Sequence, residues 1–384
     1  MGSSISQDDT SASAVSEREK VLFIYRTHLL KEGDHGPKDF LWGSEWLDRS
    51  KYDVSFINVP RRQRRSGFRL LFWLPDWLFA RKTRIGLPLE IYPMFRSEIL
   101  SARHIVCVND QISLAMLFWR FAGRLKDQKL HCVIMSLPER VKNPGFSSLG
   151  RRVSFELVRR ADSVLTLSDS VHHEFEHVFQ VDPRKIRSIY FGVDTDFWVP
   201  SEQTRPGHRS FVLAIGNDLN RDYSTLIRAI PDEIALKIIT QQKLGNEELW
   251  QKPNIEILNQ WLSNREVRAL YQQATFVVIP VKKVSSESTG LSTILQAMAC
   301  GTPVLTADGR TIRELFEDSE ACMFYEAENE RSLRSNIIGL WENKDKSAQI
   351  GFHGLDLVRR TYSSQQLAGR LSDVIRSSPG ANAV

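Results

Sequence analysis

The stretch from Val277 to Asp308, VVIPVKKVSSESTGLSTILQAMACGTPVLTAD, constrains the fold more than any other. Val277-Val278-Ile279-Pro280 reads as a buried strand, and a hydroxyl-rich loop, Lys282 to Thr289, follows it. Gly290 permits a sharp turn into a helix whose apolar spacing is carried by Leu291, Ile294, Leu295 and Met298. Gly301 stands where a helix C-terminus takes a left-handed residue, and Pro303 blocks continuation. Val304-Leu305 opens the next strand. The pattern is strand–loop–helix–strand, one unit of a parallel α/β sheet. Unpaired amides at the start of such a helix hold anions, phosphate above all.

A chain of 384 residues is long for a single core and fits two domains. With 42% hydrophobic and 25% charged residues it has the balance of an ordinary globular protein. A net charge of +5 is too small to argue for nucleic acid, and no recognition motif for one appears. Acidic ligands or an anionic membrane surface stay open. Cys107, Cys132, Cys300 and Cys322 lack metal or disulfide spacing, and apolar runs around three of them point to buried free thiols in a reducing compartment.

Residues 1–19 are rich in Ser, Asp and Ala and read as a disordered tail without a secretory apolar segment. Met1-Gly2-Ser3-Ser4-Ile5-Ser6 fits the N-myristoylation pattern, which is short and frequent by chance. Val21–Tyr25 is the first strand. Gly33 and Gly36 lie in a polar loop after it, a helix is expected at Trp42–Arg49, and Val54–Val59 is the second strand. A glycine-bearing first loop suits a ligand cleft at the carboxyl ends of parallel strands, so Gly33, Asp34, His35 and Lys38 are candidates for facing an acceptor; a plain solvated loop is the alternative. In Arg61–Arg84, RRQRRSGFRLLFWLPDWLFARKTR, basic residues flank an aromatic centre interrupted by Pro75-Asp76. It is too short to span a bilayer. It reads either as an interfacial membrane segment or as a core-packed helix with a basic edge.

Strands at Ile105–Val108 and Cys132–Met135 enclose a helix with Leu114, Leu117, Phe118 and Phe121 on one face. Leu157–Leu167 reads as helix end and strand, Val171–Phe179 as a helix and Ile186–Ile189 as a strand. Turn-rich Phe191–Pro200 separates the halves. The second half restarts with a strand at Phe211–Ile215 and a helix at Ser224–Ile230. Strands at Leu236–Ile239 and Ile255–Leu258 and a helix at Asn264–Ala274 precede the unit described first, and Ser347–Ile375 is largely helical.

Four segments carry a family resemblance. LSDSVHHEFEHVFQVDPRKIRSIYFGVDTDFWVP, Gly216–Ala229, WLSNREVRALYQQATFVVIP and Ser288–Val304 occur in order over Ala161–Leu305, and together they resemble the family-4 retaining glycosyltransferases of the GT-B fold. The resemblance implies an α/β architecture of two Rossmann-like doubly wound domains facing across a cleft. Residues 20–198 would hold the acceptor and residues 199–360 the nucleotide sugar, with 361–384 a closing helix and tail packing back on the first domain. Arg221 lines up with the family's diphosphate-binding Lys, counting back from Leu226-Ile227, and a guanidinium can do that work with a bidentate fork. Its bland alternative is a surface ion pair with Asp218 or Asp222. Gly216 lets backbone approach a phosphate closely. The family's second cation is replaced by Asn217, for which Lys282 or Lys283 would compensate.

The family's donor element carries two glutamates. The second, which binds the ribose hydroxyls, is Gln296 here, and the first falls on Ser288 with Glu287 one residue early. Capping of the following helix is the other role for Glu287. Thr289, Gly290, Leu291, Ser292 and Thr293 form the helix start that would meet the donor phosphates. The first-domain His of many relatives has no counterpart after Cys132–Met135, and His131 reads as structural. Gly192-Val193-Asp194 reads as a hinge turn, and His172, His173 and His177 as a solvated helix face rather than a metal site. The expectation is a cytoplasmic, metal-independent, retaining transferase that needs no cofactor and binds no nucleic acid. It takes a UDP-, GDP- or related sugar and an acceptor, and contact with an anionic membrane through Arg61–Arg84 stays open beside the core-packed reading. A nucleotide-sugar-binding scaffold and a sugar-nucleotide epimerase are the alternatives.

Overall fold

The computed structural model describes residues 18–26, 36–59, 69–83, 85–201, 211–242, 252–283 and 289–377. Strands β1 (Glu19–Tyr25), β2 (Tyr52–Asn58), β3 (His104–Cys107), β4 (Lys129–Val133), β5 (Ser163–Thr166) and β6 (Ile186–Ser188) form one parallel sheet in the order β2-β1-β3-β4-β5-β6. A second parallel sheet contains β7 (Val212–Ile215), β8 (Leu236–Ile239), β9 (Ile255–Leu258), β10 (Phe276–Ile279), β11 (Val304–Ala307) and β12 (Met323–Tyr325), in the order β12-β11-β10-β7-β8-β9. Central strands β3, β5, β10 and β11 are buried at every position. Burial on both faces is what parallel sheets covered by helices require, and it explains why these segments read as continuous apolar runs.

In the first half the helices are α1 (Arg69–Thr83), α2 (Ile91–Met94), α3 (Arg96–Ser101), α4 (Asp110–Phe121), α5 (Leu137–Lys142) and α6 (Ser148–Val158). Those of the second are α7 (Tyr223–Ala229), α8 (Asn264–Gln273), α9 (Leu291–Ala299), α10 (Arg310–Phe316), α11 (Glu330–Glu342), α12 (Lys344–Thr361) and α13 (Ser364–Ser377). This is the expected α/β fold of two doubly wound units. Sequence order reverses between β1 and β3 in one sheet and between β7 and β10 in the other, and crevices for ligands open at the carboxyl ends of strands at such points. The last helix leaves the second half. Ser363 bridges Val193, and the Tyr52 hydroxyl lies 3.1 Å from Ser372 Oγ.

Two local expectations differ from the structure, and a third holds with a change of winding. In place of a helix over Trp42–Arg49, two 3-10 turns, Asp39–Leu41 and Ser44–Trp46, flank Trp42 and Gly43, both at positive φ. The close approach of α13 accounts for this: a Cβ on Gly43 would sit 2.9 Å from Ala368 N. Val171–Phe179 is helical as expected over residues 172–178, but it winds wide at Glu174–Val178, where Phe179 N donates to Glu174 O at 3.1 Å. Pro75-Asp76 does not interrupt α1, which runs through it, and Asp76 turns inward to accept from Leu87 N. All four cysteines are buried and free.

Candidate functional site

At the switch point of the second sheet, the loop after β7 is strapped to the end of β10. Asp222 N donates to Pro280 O at 2.9 Å and Lys282 N to Asn220 O at 2.9 Å. Asp222 then caps α7 through Thr225 N at 3.1 Å. The strapping drives the Arg221 side chain inward, where it is 2% exposed. Two glycines make room for it: a Cβ on Gly216 would fall 2.4 Å from Arg221 Nε, and one on Gly290 would fall 3.0 Å from Nη1. Both glycines have positive φ, 155° and 84°.

Arg221 Nε donates to Asp218 Oδ2 at 2.8 Å and Nη2 to Thr293 Oγ1 at 3.3 Å. Nη1 is buried and has no partner among the described residues. An ion pair with Asp218 is therefore present, but it is not the surface pair of the bland alternative, because the guanidinium is enclosed. A buried cation with both N–H groups of one terminal nitrogen unspent is costly unless an anion comes to it. Beside it α9 begins at Gly290, which has no side chain with which to cap the first turn. The amides of Leu291, Ser292 and Thr293 thus point outward with no intrahelical acceptor. Ser292 and Leu291 line a cavity of about 270 Å³ in the cleft.

The opposite wall of that cavity belongs to the first sheet's switch point: Arg26 follows β1, Val108 and Asn109 follow β3, and Phe40, Trp42 and Phe191 supply aromatic surface. A second hollow of about 560 Å³ shares Arg26, Asn109 and Met135 and adds Asp110, Ser136 and Arg140. Asp110 is spent locally, accepting from Met135 N at 2.7 Å and Ser136 N at 3.0 Å. Arg140 Nε donates to Ser136 Oγ at 3.0 Å.

Gln296 reaches across the cleft, its Nε2 donating to Asp39 Oδ2 at 2.8 Å. Asp39 also accepts from Asp194 N at 2.6 Å and Trp198 Nε1 at 2.9 Å, and burial pushes its carboxyl up to about 6. On another flank Glu314 accepts from Asp169 N at 2.6 Å and Ser170 N at 2.7 Å, joining α10 to the loop after β5.

Arg221, Gly216, Thr289, Gly290, Leu291, Ser292, Thr293 and Gln296 are brought together. Asn217 and Lys283 are not. Asn217 is exposed and accepts from Gln241 N at 2.7 Å, while Lys283 lines a separate surface hollow with Glu326–Arg331. Glu287, Ser288, Gly33, Asp34 and His35 lie outside the described residues. His131 is enclosed, its Nε2 3.0 Å from His104 Nδ1, and burial pushes it down to about 3. His172 is tied to Ser188 Oγ at 2.9 Å. Sequence reasoning missed Asp39, Arg26, Asn109 and Arg140. Arg26 and Asn109 had a signal, since each closely follows a strand at a sheet's carboxyl edge. Asp39 had none, because its role comes from contacts more than 150 residues away.

Two family models divide the chain between them. "Glycosyltransferase Family 4" matches residues 44–197, and "Glycosyl transferases group 1" matches residues 211–343. The chain belongs to the family-4 glycosyltransferases of the GT-B fold. Among curated relatives, alpha-maltose-1-phosphate synthase of Mycolicibacterium smegmatis is 24% identical over 254 residues, covering 57% of this chain and 64% of the relative. The match thus spans somewhat less than two thirds of that protein. The sucrose-phosphate synthase of Thermosynechococcus elongatus superposes with a TM-score of 0.69 at 15% identity, covering 94% of this chain and 98% of that one. HepE of Anabaena, solved with UDP, does so at 0.65 and 15%, covering 93% and 100%. At these identities the structural likeness speaks for the fold.

Proposed function

We propose that this family-4 chain transfers a sugar from a nucleoside diphosphate sugar to an acceptor, with retention of anomeric configuration. The single observation that carries the reading is Arg221, enclosed under the start of α9 at the second sheet's switch point, with Nη1 unpartnered among the described residues. Breaking the anomeric bond leaves charge on a diphosphate. Preorganised donors aimed at that charge are where most catalytic stabilisation comes from. The amides of Leu291, Ser292 and Thr293 and the Arg221 guanidinium would supply those donors without a metal ion. For retention, the acceptor attacks from the face that the diphosphate leaves, and a departing phosphate oxygen takes its proton. No protein base is then needed. UDP is the first base to try, because HepE was solved with it.

The test is donor hydrolysis and calorimetry over UDP-, GDP- and ADP-sugars, with and without chelator. Binding with turnover that survives chelation supports the reading. Binding without turnover in the presence of candidate acceptors would favour a nucleotide-sugar-binding scaffold, and inversion at the anomeric carbon would remove the same-face mechanism.

A lipid surface is a second element of the proposal, favoured by α1. Leu74, Trp77 and Leu78 share one face of that helix and are 40–51% exposed, with Arg81 over the Trp77 ring at 5.3 Å. No helix among the described residues is long and apolar enough to cross a membrane, so the contact would be peripheral.

A further inference from the structure

Asp39 is 0% exposed, and its three donors come from two places distant in sequence: the connection between the sheets (Asp194 N, Trp198 Nε1) and the donor helix α9 (Gln296 Nε2). A carboxylate only accepts. It therefore selects the nitrogen of the Gln296 amide and turns the carbonyl oxygen away from itself. Gln296 Oε1 has no hydrogen-bond partner among the described residues. Gln296 lies one helical turn beyond Ser292, which lines the cleft, so the two share a face.

We infer that Asp39 is a positioning residue that fixes the Gln296 amide so that its carbonyl oxygen accepts a hydrogen bond from a ribose hydroxyl of the donor nucleotide. This rests on the donor reading above. It also explains why an amide stands at this place in the helix. A glutamate at 296 would bring a second carboxylate to hydrogen-bond distance of a buried one, and the two would be forced to share a proton. One carboxylate and one amide divide the work: the carboxylate orients from the acceptor half, and the amide oxygen presents from the donor half.

The experiment is calorimetric titration of the full chain at pH 8 with UDP and with 2′,3′-dideoxyuridine diphosphate, which lacks the ribose diol. The wild type should prefer UDP roughly tenfold, one hydrogen bond's worth. In Asp39→Asn the residue at 39 pairs with either end of the amide. The preference should shrink to about twofold while affinity for the dideoxy probe stays unchanged. A merely structural role would weaken both probes alike, and that result overturns the inference, as does an undiminished preference. In Gln296→Glu the preference should fall as pH rises from 5 to 8 and the shared proton is lost, and D39N/Q296E should restore it. A flat pH profile in Gln296→Glu overturns the inference even if Asp39→Asn does not fold. Asp194 and Tyr271 are the other titratable groups whose charge is felt at Asp39, and both are the same in all four proteins. A wild-type chain that binds none of UDP, GDP and ADP overturns the donor reading and the inference together. UDP binding with the preference intact in Asp39→Asn overturns the inference alone.

Discussion

The two halves share one architecture but hold their crevices differently. In the second half, the loop after β7 is fastened to β10, a guanidinium is enclosed between two glycines, and the helix start at Gly290 has no side-chain cap among the described residues. The charge that meets the ligand is fixed before the ligand arrives. In the first half, Arg26 borders two hollows, one walled by Phe40, Trp42 and Phe191 and the other by Ser136 and Arg140. The same fold thus supports a preformed anion seat on one side and a roomier wall on the other. On the proposed function, such a chain would stabilise the leaving group tightly and select acceptors by surface contact.

The largest expected effect breaks the donor side. Arg221→Ala should lower turnover by roughly 10²–10³-fold, the usual cost of removing one donor from a developing oxyanion. Arg221→Lys should recover part of it, since an ammonium supplies charge without the fork. Arg221→Ala with full diphosphate affinity and full turnover would place the seat elsewhere. Thermal unfolding of the variants separates a lost seat from a lost fold.

The next concerns the joint between the halves. Burial raises the Asp39 carboxyl from 3.8 to about 6. A raised carboxyl binds a proton in the folded chain that the unfolded chain has already released. Its contribution to stability is therefore full below about pH 4 and lost as pH rises through about 6. The shift corresponds to about 3 kcal/mol. Denaturant titrations of wild type and Asp39→Asn from pH 4 to 7 should show a falling limb in the first alone. Parallel limbs would mean that Asp39 is not the group responsible.

Legibility in the sequence follows the same contrast. The second half was read almost element by element, because its apolar runs are short and buried on both faces, and its helix start is marked by Gly290 and its stop by Gly301 and Pro303. Arg221 could be reached by counting back from Leu226-Ile227. Its enclosure could not, since that depends on Gly216 and Gly290 closing over it from two loops. The acceptor side was legible only as a pattern of strands. The turns around Asp39 and Gly43 are dictated by α13 and Trp198, elements remote in the chain, and local pattern cannot report such contacts. The wide winding at Glu174–Val178 is equally invisible to local pattern, as is the tie that holds the start of that helix to the other half, where Glu314 accepts from the amides of Asp169 and Ser170.

A smaller effect tests the acceptor wall. Arg26→Ala and Arg140→Ala should each raise the KM for an anionic acceptor about tenfold, the worth of one charge-assisted hydrogen bond, and leave UDP affinity unchanged. A change confined to UDP affinity would reverse the assignment of the halves. An unchanged KM for every acceptor tried would move the acceptor off this wall.

The smallest effect on the folded chain, and the sharpest on the asymmetry between the halves, concerns α1. Only the acceptor half presents a helix with Leu74, Trp77 and Leu78 turned to solvent while Asp76 on the same helix is buried. An aliphatic and indole face with Arg81 beside it suits the boundary between headgroup and acyl chain, and the arginines at 61, 62, 64 and 65 add charge in the sequence just before it. Replacing Leu74, Trp77 and Leu78 together with Gln keeps helix propensity and gives up only their half-buried portions, so stability should fall by about 1–2 kcal/mol, read by thermal unfolding. Co-sedimentation with vesicles containing phosphatidylserine should fall to the level of the zwitterionic control, and wild-type binding should weaken as salt rises. Wild-type binding that ignores both lipid charge and salt, or a triple variant that sediments like wild type, would leave α1 as an exposed face with no lipid role. The acceptor would then reach Arg26 and Arg140 from solution, as the nucleotide reaches Arg221.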